Sequence, residues 1–270
     1  PILFSGDRLE ELYSDVPDQW YGILLFPNEN LSVFENVEIK NATVGLQVGT
    51  LEYEGAARVK MHNVKIQHMS YAGILAIKSI IEATNTLIAN CGFYGAALLL
   101  GGDYDFNHCT VANFYRYASR QTPSVVISNI LVNSDGKYQY VYENDLIRAN
   151  WRNSIIWGDQ VNELSTGFSE SKQFNFLLDH CLVRLADTID VSDEAHFRNI
   201  ITKFETEDSL LFVDEREYKF MPDTLSPAID AGLREYANPV PFDLNDVSRL
   251  NDLAPDLGAY ERKEKTAEEE

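Results

Sequence analysis

Basic residues are scarce in this chain. Twenty-two Lys and Arg face 42 Asp and Glu across 270 residues, a net charge of −20. Nucleic-acid surfaces need clustered Lys and Arg to neutralise phosphates, so the deficit excludes nucleic acid as a partner. Long apolar runs are missing too: nothing approaches the ~20 residues of a membrane-spanning helix. The chain has only three cysteines and five histidines. No two of the histidines have the spacing of a metal motif. Nucleophile elbows, phosphate loops and zinc patterns are absent as well.

What the chain has in abundance is repetition. The phrase apolar–x–apolar–polar–anchor–apolar–x–apolar recurs around Asn36, Asn63, Asn85, His108, Asn129, Asn153 and His180, at spacings of 27, 22, 23, 21, 24 and 27 residues. Period-two alternation puts side chains on opposite faces of a strand. Here the apolar parity switches at the anchor: Phe34 gives way to Val37 and Ile39, Met61 to Val64 and Ile66. A strand cannot change parity without bending, and Asn tolerates the left-handed conformation that a short bend demands. Stacked bends of this kind predict an all-β, right-handed, single-stranded parallel β-helix of about eight coils, with coils ~4.8 Å apart.

Return strands are expected at 22–26, 45–48, 73–77 and 95–99, each opening with Gly. Loops 112–124, 133–148 and 157–175 interrupt the later coils. A β-sandwich also alternates strands and turns, but it does not place one bend residue at a fixed phase in successive units. The length suits one monomeric domain, divided as coils over 1–207, a capping module over 208–261 and a charged tail over 262–270 that is expected to be disordered. Cys109 and Cys181 share a core phase three coils apart, roughly 14 Å by coil spacing, too far for a disulfide. With Cys91, they read as buried thiols.

Residues 208–261 change character. LFVD at 211–214, SPAIDAG at 226–232 and DLGAYE at 256–261 resemble the C-terminal module of bacterial choice-of-anchor-Q β-helix proteins. The departures are Ser209 in place of the usual Pro and an Asn-rich stretch before Arg249. The opening, Pro1-Ile2-Leu3-Phe4 and Gln19-Trp20-Tyr21-Gly22-Ile23, is similar to that of long β-helical surface proteins and lipoproteins, often from Bacteroidetes. These resemblances imply a pectin-lyase-like fold and an exported protein, extracellular or on the outer-membrane surface. From the residues themselves, a parallel stack needs its open ends capped. Asp230, Asp243, Arg249 and Asp256 are candidates for an internal ion network. Leu131, Ile155 and Leu182 form an apolar outer stripe, which the C-terminal segment or a long loop folding back is expected to cover; a partner protein is the alternative.

Chemistry is sparse. Lyase or hydrolase action needs clustered carboxylates with a base. The nearest set is Asp103 and Asp105, with Arg116 and Arg120 one coil on. Glu82 joins the two aspartates as a candidate Ca²⁺ site. Tyr115, Tyr117, Tyr138 and Tyr140 are candidates for stacking on sugar rings; alternatively, the alternating Tyr138, Tyr140 and Tyr142 mark a return strand with one packed face. The expected role is a non-catalytic binding or scaffold module that contacts polysaccharide or cell-surface glycan along a lateral groove. The alternatives are a polysaccharide lyase or glycoside hydrolase, and a structural stalk.

Overall fold

Left-handed backbone occurs where the repeat requires it. Asn36, Asn63, Asn85, His108, Asn153 and His180 take φ between 44° and 55°, a region that Asn and His enter more readily than bulky or branched residues. The strands run straight through these bends, as in Leu31–Lys40, Arg58–Met69, Ala72–Cys91 and Leu146–Gly158. The computed structural model describes residues 1–8, 10–134, 136–203, 211–251 and 253–262. The chain is all-β, and its main sheet is built from parallel pairs in a register compatible with a β-helix. Among the described residues, no helix is long and apolar enough to cross a membrane.

Three stacks of parallel strands emerge from the pairing. Before the bend, Phe34 pairs with Met61, Met61 with Ala83, Ala83 with Phe106, and Phe106 with Trp151. After it, Ile2–Phe4 pairs with Val37–Ile39, and the stack continues through Val64, Thr86 and Thr110. The Gly-led return strands form the third stack, from Ile23–Leu25 through Val44–Val48 and Ala72–Ala76 to Ala96–Leu98. Inward residues of all three fill one core, with Ile39, Leu46, Met61, Ile66, Ile74, Phe106 and Trp151 fully buried.

One anchor is misplaced in the sequence reading. Asn129 has no left-handed φ, and its phrase does not join the pre-bend stack. Val125–Ser128 instead extends the return stack, pairing with Ala96–Leu98 and Leu164–Gly167. Residues Ile130–Ser134 and Gln139–Glu143 then leave the coil as an antiparallel hairpin. The chain from His108 to Asn153 is therefore a single wide coil. That is why the rings of Phe106 and Trp151 stack directly, 4.0 Å apart. It also leaves Cys109 and Cys181 two coils apart rather than three; both are free and buried, as is Cys91. Asn199 adds a left-handed bend beyond His180, at φ 50°.

A second ladder went unread. Asn41, His68 and Asn90 are also left-handed, at φ 64°, 61° and 56°, and each lies five residues after a first-ladder anchor. The two ladders bracket the post-bend strands. Asn113 holds the next position and accepts the backbone N–H of Cys91 at 2.7 Å.

The C-terminal segment covers the outer face of the post-bend strands. Leu211, Phe212, Phe220, Ala228, Leu257 and Ala259 bury Leu87, Ala89, Ala112, Ile155 and Leu182. Ile155 and Leu182 are thus covered as expected, whereas Leu131 belongs to the exposed hairpin. Arg249 sits fully buried at the junction. It donates to Glu261 Oε1 at 2.6 Å, Asn85 Oδ1 at 3.0 Å and the Gly258 carbonyl at 3.2 Å. Its direct ion partner is Glu261, which the sequence reading had not included. Asp243 and Asp256 accept backbone N–H groups, Asp230 N–H among them. Burial pushes the Glu261 carboxyl up, and the adjoining Arg249 guanidinium pulls it back down. The boundary at 207/208, Asp208, Ser209 and residues 263–270 lie outside the described residues.

Candidate functional site

The outward rows of the pre-bend strands carry the polar chemistry. Side chains alternate, so residues one, three and five before each anchor point away from the core. Register then places Lys60, Glu82, Asp105 and Asn150 side by side on successive coils. In the flanking rows Asp103 neighbours Arg148, and His62, Thr84, Asn107 and Arg152 follow one another.

Two arginines hold the two aspartates. Arg148 Nε lies 2.6 Å from Asp103 Oδ1, and its Nη1 lies 3.4 Å from Asp105 Oδ2. Arg152 forms a further ion pair with Asp105. The Arg152 guanidinium also lies over Tyr236, 5.3 Å from the ring centroid. Tyr236 Oη donates to Asp179 Oδ2 at 2.8 Å, and Asp179 Oδ1 is 2.7 Å from His180 Nδ1. Burial, reinforced by Asp179, pushes the Tyr236 hydroxyl up to about 12. The result is a continuous polar chain across three coils, locked by a residue of the C-terminal module.

Beside it runs a groove of about 440 Å³. Glu35, Lys60, His62, Glu82, Thr84, Asp105, Asn107 and Arg152 line it, and Pro239 and Val240 wall one side. His62 Nδ1 lies 2.7 Å from Thr84 Oγ1, and burial pulls its pKa down, favouring the neutral ring. Lys60 Nζ approaches Glu82 at only 3.9 Å, so both keep capacity for a ligand. The Asn107 amide donates to Tyr236 O at 2.8 Å, fixing the wall.

The sequence-predicted residues separate into distinct places. Asp103, Asp105 and Glu82 share the groove face. Among the described residues no group of three or more His, Cys, Asp or Glu is arranged to hold a metal ion. Arg116 and Arg120 are elsewhere. Arg116 Nη2 donates to Glu215 O at 3.0 Å, and its guanidinium lies over the Tyr218 ring. The Arg120 side chain is buried, with Nη1 2.8 Å from Glu163 Oε2 and Nη2 3.1 Å from Asn113 O. It ties loop 114–124 to the coil. Tyr115 and Tyr117 lie 5.9 Å apart at another corner. Tyr138 and Tyr140 are exposed at the hairpin, where Lys137 Nζ is 5.0 Å from the Tyr138 ring centroid. That strand is antiparallel and exposed throughout, not a return strand with one packed face.

Arg148, Arg152 and Tyr236 were missed. With Asn129 treated as a rung, Val126 occupied the position beside Asp105; deleting that rung brings Asn150 there and both arginines with it. The signal was available in the spacing, since no Gly-led return strand intervenes between His108 and Asn129. Compared with known proteins, the chain matches no family model, no curated protein and no solved structure.

Proposed function

We propose that the protein is a non-catalytic binding module built on a right-handed, pectin-lyase-like β-helix, and that it holds polysaccharide along the groove beside Asp105 and Arg152. The observation that carries this reading is the groove itself: polar side chains repeat at the coil spacing of ~4.8 Å, next to a fixed wall. Sugar hydroxyls need convergent donors and acceptors on a preformed surface. Glu35, Glu82, Lys60 and Thr84 supply them, while the Arg148–Asp105–Arg152 chain keeps the floor rigid. The C-terminal motifs and the opening residues support an exported, surface-displayed role, with cell-surface glycan as the partner.

A second reading, a lyase or hydrolase, is favoured by one observation. Glu82 and Asp105 are immediate neighbours in one row, and glycoside hydrolysis uses paired carboxylates. Against it, Asp105 is engaged by both arginines. Affinity gels with neutral and uronate-containing polysaccharides, read together with the release of reducing or unsaturated ends, test both. Retardation without release is expected, weakened at least fivefold by Lys60→Ala with Glu82→Gln. Release of ends that Glu82→Gln abolishes would make the protein an enzyme.

A further inference from the structure

A different corner gathers aromatic rings and carboxylates from four distant segments. It lies where the post-bend strands turn into the return strands, outside the second ladder. Tyr71 and Phe93, on adjacent coils, have ring centroids 5.2 Å apart at 41°, with Tyr94 6.0 Å from Tyr71. Loop 114–124 adds Tyr115 and Tyr117, 5.9 Å apart at 51°. The Tyr115 ring sits on Gly92, where an added Cβ would lie 3.3 Å from it. This joins the two ring groups. Tyr71, Phe93 and Tyr117 remain 36%, 48% and 54% exposed.

Polar groups border these rings. Asp18 Oδ1 accepts Thr43 Oγ1 at 2.5 Å and Ser70 Oγ at 3.0 Å, which fixes the carboxylate and leaves Oδ2 open. Asp15 Oδ1 lies 3.6 Å from both Lys40 Nζ and the buried His68 Nε2. The His68 ring meets the Tyr218 ring edge-on at 4.7 Å. Of the nearby cations, Lys40 faces Asp15, and Arg116 is held over the Tyr218 ring with its Nη2 on the Glu215 carbonyl. What the corner offers outward is chiefly ring faces and carboxylate oxygens, with the Arg116 guanidinium at its edge.

We propose that this corner is a second carbohydrate-contact site, taking one or two uncharged pyranose units of a soluble glycan. The apolar C–H face of a pyranose packs on an aromatic ring, and its hydroxyls donate to neighbouring carboxylates. A uronate would meet the like charges of Asp15 and Asp18, with Arg116 alone across the Tyr218 ring to offset them. The rings are tilted to one another by 41° and 51°, so they present no single flat platform for the face of a crystalline polymer. The site does not depend on the groove. If both are occupied by one long chain, binding at one raises the effective concentration at the other.

The test uses a soluble mixed-linkage β-glucan, a galactomannan and polygalacturonate in affinity gels, with oligosaccharide titrations of the neutral binders. Phe93→Ala with Tyr117→Ala is expected to weaken neutral-glycan binding at least tenfold. Tyr117→Phe, which keeps the ring, should stay within about twofold of the native protein. Lys60→Ala with Glu82→Gln removes the groove and should leave the corner's share measurable. Thermal melting verifies that each variant folds. Should the aromatic double variant unfold, protection of Tyr117 from surface nitration by the neutral oligosaccharide replaces it, and no protection overturns the proposal. Unchanged binding in the aromatic variant sinks the corner while leaving the groove standing. Retardation only by polygalacturonate, or by none of the three, also overturns the proposal.

Discussion

The two outer faces that meet at the first ladder are made by the same strands yet treated in opposite ways. Before the bend, outward residues are Glu35, Lys60, His62, Glu82, Asp105 and Arg152, and they line an open groove. After it, the first two coils still carry Glu38 and Lys65, but Leu87, Ile155 and Leu182 of later coils are buried by the C-terminal segment. A parallel coil leaves both faces to be settled by sequence alone, because the backbone is satisfied in either case. The polar face therefore reports contact with solvent or ligand, and the apolar face reports cover.

Breaking the cover should have the largest effect. Arg249→Ala leaves Glu261 buried without its cation and Asn85 without its donor; it should cost about 3–5 kcal/mol, measured by chemical denaturation. Leu182→Ala, on the covered face, should cost about 2–4 kcal/mol. Val33→Ala, on the open face, should change stability by less than about 0.5 kcal/mol. Equal costs for the latter pair would erase the contrast between the faces.

Acid sharpens it further. Burial holds His68 down at about 4, below its unfolded value of ~6.5. A base with a depressed folded pKa binds more protons when unfolded, so stability falls as pH drops from 6.5 towards 4. The loss attributable to His68 should reach roughly 2–3 kcal/mol at pH 4. His68→Asn, which matches Asn41 and Asn90 in the second ladder, should flatten that limb in melts from pH 7 to 4.5. The smallest effect is expected at Arg148, a half-exposed residue whose ion pairs contribute about 1 kcal/mol or less. Arg148→Ala should leave melting nearly unchanged while weakening glycan retention through a loosened Asp103 and Asp105.

Much of this was legible from residues alone. Six of the seven anchors are bends, because a strand can switch parity around Asn or His only by turning there. The phrase around Asn129 misled because return strands alternate as well: Val125–Ser128 satisfies the same local pattern from another stack. Periodicity reports that a strand exists, not which stack receives it. That single error also hid the site, since Arg148 and Arg152 become neighbours of Asp103 and Asp105 only when the coils are counted correctly. The second ladder was readable at a constant offset of five from the first. Tyr236 was not readable, because its contact with Arg152 and Asp179 crosses more than 50 residues of chain.

The C-terminal cover has a consequence for how the molecule comes apart. In a stack where each coil touches only its neighbours, unfolding frays inward from the ends, one unit at a time. The residues that bury Leu87, Ala112, Ile155 and Leu182 touch four successive coils at once, and Arg249 ties the same segment to Asn85. That segment acts as a lashing across the middle of the stack. The lashed coils must open together or not at all, so a chain with the local contacts of a repeat should melt there as one cooperative block.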